Sequence, residues 1–447
     1  MSSLSQRFLP SPLRCASLLA LLLASGALQA QNLNALYEAA RAYDATYLSA
    51  RSLAESAAFK AAQADALRLP SASLTGSATA AEIHTVTGAS VGNRNATVGL
   101  QGRHPLFNRS NSATLEQARR ALDVSKADLE AAEQDLIVRV AQAYFDVLAA
   151  QDALSAAQAF KKAVSEQLAS AKRNFEVGTA TITDTRESQA RFDLATAREL
   201  VADNDLRTRR TVLDQLVGRS AVEPKGLAVP VALPPVSPAD MDAWVATAEA
   251  QHPTIRKALL GQDVARLETE KARAGALPTV DLVGSLSSSN TSGSGTTANV
   301  NRGTATTGSV GVQLNYPLYT GGAVQNRIKE TVVLEEKARQ DLAAARRGVT
   351  LGTRSAFLGV QSGLGQVKAL EAAEASTKLA LEATELGYKV GVRVNLDVLN
   401  AQSQLYDTRR DLSKARYDVI VNSLKLRQAA GQLQPQDVRS IDALLAR

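Results

Sequence analysis

The chain has 447 residues, of which 45% are hydrophobic, 21% charged and only 4% aromatic. So few aromatics argue against one large oily core and favour long helices that pack through small side chains. The formal charge is +6, and Lys and Arg interleave with Asp and Glu along helical patterns, as in 116–120 and 330–336, which excludes a phosphate-binding stripe and with it nucleic acid.

Residues 1–30 read as a signal peptide. Arg7 and Arg14 give a positive start, "ASLLALLLASGAL" (16–28) is an apolar run too short to span a bilayer, and "LQA" (28–30) ends on a small residue suited to cleavage. Removal lowers the formal charge from +6 to +4 and takes away Cys15, the one cysteine. The mature chain then has no thiol for a disulfide, a metal site or a nucleophile.

The next unit spans 31–220 and opens with a helix. Two strands follow, at 71–78 and 95–107, joined by a polar loop at 80–94. In 95–107, Ala96, Val98, Leu100 and Leu106 take one face, and Thr97, Gly99, Gln101 and Arg103 the other. No proline occurs between Phe107 and Glu223, so a very long helix is allowed, at about 108–176. Leu122, Leu129, Leu136, Ala143, Ala150, Ala157, Val164 and Ala171 recur every seven residues there. A second row, Val140, Val147, Leu154, Leu168 and Phe175, is broken once by Lys161. This is coiled-coil spacing. "FEVGTATITD" (175–184) then marks a tight turn at Gly178. A returning helix carries Phe192, Leu206 and Leu213, broken by Glu199.

A proline-rich linker, 221–238, leads to a second unit on the same plan, 239–434, and a tail, 435–447. Strands are expected at 279–286 and 307–319, with a Ser-, Gly- and Thr-rich loop at 287–306. A second proline-free gap holds a long helix at about 321–389. Its seam is Ile328, Leu342, Val349, Ala356 and Leu370, with Glu335 and Gly363 as exceptions. "YKVGVRVNLD" (388–397) repeats the turn at Gly391, and Val398, Leu405, Leu412, Val419 and Leu426 follow it. The matched order, with "GLQGRHPLF" (99–107) against "GVQLNYPLY" (311–319), reads as an internal two-fold repeat.

Four strands with one apolar and one small-polar face fit a membrane barrel, but known barrels start near eight strands. Either the sheet is a soluble one packed on helices, or several chains pool their strands. Three chains would give twelve.

The segments "YKVGVRVNLDVLNAQSQLYDTRRDLSKARYDVIVNSLKLRQAAG" (388–431), "FEVGTATITDTRESQARFDLATA" (175–197), "PLFNRS" (105–110) and "YPLYTGG" (316–322) resemble the TolC-type outer-membrane efflux proteins. The resemblance covers essentially the whole mature chain. It implies an α+β membrane protein: a homotrimer with a twelve-stranded β-barrel, four strands per chain, set in outer-membrane lipid and continuous with a long coiled-coil periplasmic tunnel. The partners implied are a periplasmic adaptor protein and an inner-membrane transporter of ABC, RND or MFS type, in multidrug efflux or type I secretion. One departure is Ala45 in "YDATYLS" (43–49), where the second unit has Pro253 in "HPTIRKA" (252–258).

In that family's pattern Asp397 falls at the selectivity carboxylate, and Asn400 replaces a second acid. Tyr388, Arg393, Thr183 and Asp184 fall at gate positions, with Arg393–Asp184 as the expected ion pair between hairpins. Val177, Gly178, Thr179, Val390, Gly391 and Val392 would form the tips offered to the adaptor. A plainer role is open for both acids. A carboxylate in a helix's first turn is favoured by the helix dipole, and Thr181-x-x-Asp184 is a capping-box pattern.

An enzyme finds little support. His84, His104 and His252 are isolated, and no nucleophile motif, phosphate loop or metal-ligand spacing occurs, so neither cofactor nor metal is expected. The remaining alternative is a soluble periplasmic coiled-coil adaptor or structural protein.

Overall fold

The computed structural model describes residues 31–84, 90–228, 230–231, 233–294 and 303–446. The signal-peptide reading (1–30, with Cys15) lies outside the described residues, as do parts of the loops expected at 80–94 and 287–306.

Helices α1 (Leu33–Tyr43) and α2 (Ala45–Asp65) open the chain, and β1 (Ser71–His84) and β2 (Ser90–Phe107) follow. Then come α3 (Arg109–Glu176) and α4 (Ile182–Val217). The same succession recurs as α5 (Met241–Gln251), α6 (Pro253–Ala274), β3 (Thr279–Ser294), β4 (Gly303–Asn315), α7 (Ala323–Lys389) and α8 (Asn395–Ala429), before a short α9 (Pro435–Asp442). Ala45 does not prevent α2 from starting there. Asp44 caps it by accepting from Tyr47 N at 2.8 Å, as His252 caps α6.

The long helices lie inside the proline-free gaps and match the expected bounds, about 108–176 and 321–389, to within two residues. They hold 68 and 67 residues, roughly 100 Å each at 1.5 Å per residue. The expected rows form seams on α3 and on the returning helix α8, and of the α7 row Leu342 and Val349 are buried. Leu136, Ala143, Ala150, Val164 and Ala171 are buried on α3, and Val398, Leu405, Leu412, Val419 and Leu426 on α8. Gly363, an exception in the α7 row, is a close approach. A Cβ there would come within 2.9 Å of Val419 Cγ2.

The strands correct the sequence reading. β1, β2, β3 and β4 have 14, 18, 16 and 13 residues, so much of the expected loops is strand, and β4 ends at Asn315 rather than 319. The extra length is rich in Ser, Thr, Asn and Gly and lacks apolar alternation. Backbone pairing to the neighbouring strand carries it instead. The sheet is antiparallel in the order β1-β2-β3-β4. Cross-strand pairs such as Leu74↔Leu100, Leu100↔Leu286 and Leu282↔Val312 put the large apolar residues on one face. These side chains are exposed.

The largest core lies at neither end. It gathers α1, residues 136–150 of α3, the last turns of α8 and α9 around Tyr37, Tyr144 and Phe145. Tyr144 Oη donates to the Lys225 carbonyl at 2.8 Å. The linker is tied to both ends of the described residues, by Gln31 N to Glu223 O at 2.8 Å and Ala446 N to Gly226 O at 2.8 Å. Among the described residues no helix is long and apolar enough to cross a membrane.

Candidate functional site at the hairpin tips

The two helical hairpins, α3–α4 and α7–α8, turn at the end farthest from the sheet. Gly178 and Gly391 have φ of +80° and +79°, the left-handed region that a reversal after a helix needs. Each turn is closed in the same way: Thr179 N–H donates to Asn174 O at 2.8 Å, and Val392 N–H to Gly387 O at 2.9 Å. Val177, Val390 and Val392 project into solvent at the tips.

The acids that follow are not equivalent. Thr181 caps α4 in a full capping box. Asp184 Oδ2 accepts from Thr181 N at 2.9 Å and from its hydroxyl at 2.7 Å, while Asp184 N donates to Thr181 Oγ1 at 3.2 Å. Thr183 is exposed on the same turn. In the second hairpin the N-cap is Val394, which has no side-chain acceptor. Asp397 therefore has no hydroxyl to engage. Its carboxylate meets Arg393 at 3.7 Å, a loose and mostly exposed pair worth about 0–1 kcal/mol. Within one chain Arg393 thus lies against Asp397, and the expected Arg393–Asp184 pair is not formed.

Residues outside the expected set join the hairpins. Asn174 Nδ2 donates to Tyr388 Oη at 3.4 Å. Arg191 Nη2 donates to Asn400 Oδ1 at 2.8 Å, so this amide is held by a cation from the neighbouring helix. Below these, buried Asn395 donates to Ser188 Oγ at 2.7 Å and accepts from Gln167. The sequence signals for these bridges are polar residues on otherwise apolar seams, a weak cue without the pairing. Among the described residues no group of three His, Cys, Asp or Glu side chains is placed to hold a metal ion.

A family model described as outer membrane efflux protein matches residues 36–219 and 244–432. The chain is 36% identical over 345 residues to the outer membrane protein TolC of Vibrio cholerae serotype O1, covering 77% of this chain and 78% of that one. It is 33% identical over 362 residues to the outer membrane protein TolC of Escherichia coli strain K12, covering 79% and 73%. It is 35% identical over 352 residues to the alkaline protease secretion protein AprF of Pseudomonas aeruginosa, covering 78% and 72%. Among solved structures, CusC aligns with a TM-score of 0.76 at 19% identity, over 90% of this chain and 92% of that one. VceC of Vibrio cholerae gives 0.76 at 19%, over 89% and 96%. At such identities these two structures speak for the fold alone.

Proposed function

The chain belongs to the outer membrane efflux protein family, and from that premise we propose that three copies close a twelve-stranded barrel in the outer membrane above a shared helical tunnel. It is an outer-membrane exit duct for efflux or type I secretion, with its helices in the periplasm, and it is not an enzyme. The alternative of a soluble adaptor gives way to that membership.

The observation that carries the trimer is a pair of open edges. β1 and β4 each have a partner on one side only within the chain. An unpaired backbone group in lipid costs several kcal/mol, so four strands cannot remain an open sheet there. The helices support the same reading. α7 packs on α5, α6 and α8, while α4 packs on α3, α1 and α8. Leu351, Leu358, Leu379 and Leu386 lie on one heptad row of α7, and each is more than half exposed. Leu194, Leu200 and Val201 of α4 are equally exposed. Seating α7 of one copy on α4 of the next would cover both rows and bring β4 beside β1. The division into two units joined by the 221–238 linker, arisen by duplication, is part of this reading.

Six hairpin tips would then ring the periplasmic mouth. The spare carboxylate of Asp397, once per chain, supplies a ring that favours cations. Asp184, Thr183, Tyr388, Arg393 and Asn400 hold the mouth closed through contacts within and between hairpins. The tips, Val177–Thr179 and Val390–Val392, offer a small apolar surface to a periplasmic adaptor that couples the duct to an inner-membrane transporter of ABC, RND or MFS type. A strain lacking this protein should become sensitive to detergents and dyes or lose a secreted polypeptide from its medium, with rescue on re-expression. A strain unchanged on both counts contradicts the reading.

A further inference from the structure

The sheet's polar face carries one charged pair. By register, that face holds Ser71, Ser73, Thr75 and Ser77 of β1, Thr97, Gln101 and Arg103 of β2, Asp281 and Ser285 of β3, and Ser309 and Gln313 of β4, among others. Among the described residues of the four strands, Arg103 and Asp281 are its only ionisable side chains. Glu82, His84, Arg94 and His104 register on the opposite face. The pair sits at the helix end of the sheet, near the end of β2 and the start of β3.

Its two members are unequal in exposure. Arg103 Nη2 lies 2.6 Å from Asp281 Oδ2, with the arginine side chain 60% exposed and the aspartate side chain 6%. Asp281 Oδ1 has no hydrogen-bond partner among the described residues. The carboxylate is therefore held back in the wall, while the guanidinium fronts the water. A carboxylate so placed fixes the direction of the arginine more than it cancels its field, because the nearer charge dominates for an ion in the lumen.

Resting on the trimeric reading above, we infer that Arg103 is a specificity-determining residue of the duct. Three guanidinium groups ring the lumen at the floor of the barrel and favour anionic groups, carboxylates or phosphates, in transit. Asp281 is the positioning residue that holds each one. The duct then has two charged belts of opposite sign: carboxylates of Asp397 at the mouth and guanidinium groups of Arg103 at the barrel floor. Between the barrel floor and the open end, the described polar face is neutral, so nothing there competes with the ring.

The test is anion block of purified protein in a planar bilayer, with ferrocyanide added on the barrel side so that it need not cross the mouth. Wild-type current should fall with ferrocyanide concentration. Arg103→Gln should raise the half-blocking concentration about tenfold or more, since a polyvalent anion loses a charge contact from each of three chains. Asp281→Asn should lower it, because the guanidinium stays and its counter-charge goes. A merely structural role for the pair would move both variants in the same direction. Block unchanged in Arg103→Gln, or shifted alike in both variants, overturns the inference while the channel reading stands. Wild-type protein that passes no current overturns the channel reading itself, and the ring with it.

Discussion

Lys161 and Glu199, the two residues that interrupt the apolar rows of α3 and α4, meet each other: Lys161 Nζ lies 2.7 Å from Glu199 Oε2. The breaks in the two rows are therefore one feature. Lys161 Nζ also stands over the Phe192 ring, 5.9 Å from its centroid. A half-buried ion pair on an otherwise apolar seam fixes which turn of one helix faces which turn of the other. Replacing Glu199 alone by Leu strands the lysine and should cost about 1–3 kcal/mol. Replacing both by Leu should be neutral or stabilising. Thermal unfolding of the detergent-solubilised single and double variants checks this. A double variant less stable than the wild type would show that the pair adds net stability.

The missing cap in the second hairpin gives a test at the mouth. Val394→Thr supplies the hydroxyl that Thr181 provides in the first hairpin, so it should draw Asp397 into a capping box. The variant should then resemble Asp397→Asn, with weaker block by Mg2+ applied at the mouth, yet unfold at a slightly higher temperature, by about 1 kcal/mol of cap. Thr181→Val should act in reverse by releasing Asp184. Mg2+ block unaltered in Val394→Thr would mean that Asp397 is not the cation site.

Arg393→Ser combined with Tyr388→Phe should raise single-channel conductance. The substitutions remove the Asn174–Tyr388 contact at 3.4 Å and the charge beside Asp397. Each contact is weak, of order 1 kcal/mol or less, which suits a closure that a partner protein must release. Arg191→Ala, which frees Asn400, should add to the effect. Conductance equal to wild type in the triple variant would remove these residues from the gate.

Acid should weaken the region around the start of α6. His252 Nδ1 accepts from Thr254 N at 3.1 Å, and burial lowers the pKa of the imidazole. The folded state therefore binds fewer protons than the unfolded one as pH falls through the unfolded value of about 6.5. Protonation also turns the accepting nitrogen into a donor and ends the cap. Stability should be full above about pH 7 and decline below it, and His252→Asn, which caps without titrating, should flatten that decline. Urea unfolding at several pH values distinguishes the two. An equal slope in both proteins would assign the acid sensitivity elsewhere.

The long helices were legible because two strong signals agree in them: an absence of proline and a sustained seven-residue row. The strands were only half legible. Leu74, Leu100, Leu286 and Val310 alternate where lipid would demand it, but beyond them Ser, Thr and Asn obey no period, and pairing with the neighbouring strand decides the conformation. At the tips, the Val-Gly turns and both aspartates could be read, as could the Thr181 capping pattern. The contrast between Thr181 and Val394 lay in view as well, but its meaning depends on where each helix begins. Arg103–Asp281, Arg191–Asn400 and Ser188–Asn395 were not legible, since each joins segments far apart in the chain and no local spacing announces them.

The central claim is that one chain leaves two sheet edges and two exposed apolar helix faces open, and that copies of itself close them. Light scattering of the protein extracted from outer membranes in mild detergent tests it directly. The account predicts a particle with three times the mass of one chain, converting to single chains on heating in denaturing detergent. A particle holding one chain that dissolves without detergent would contradict it.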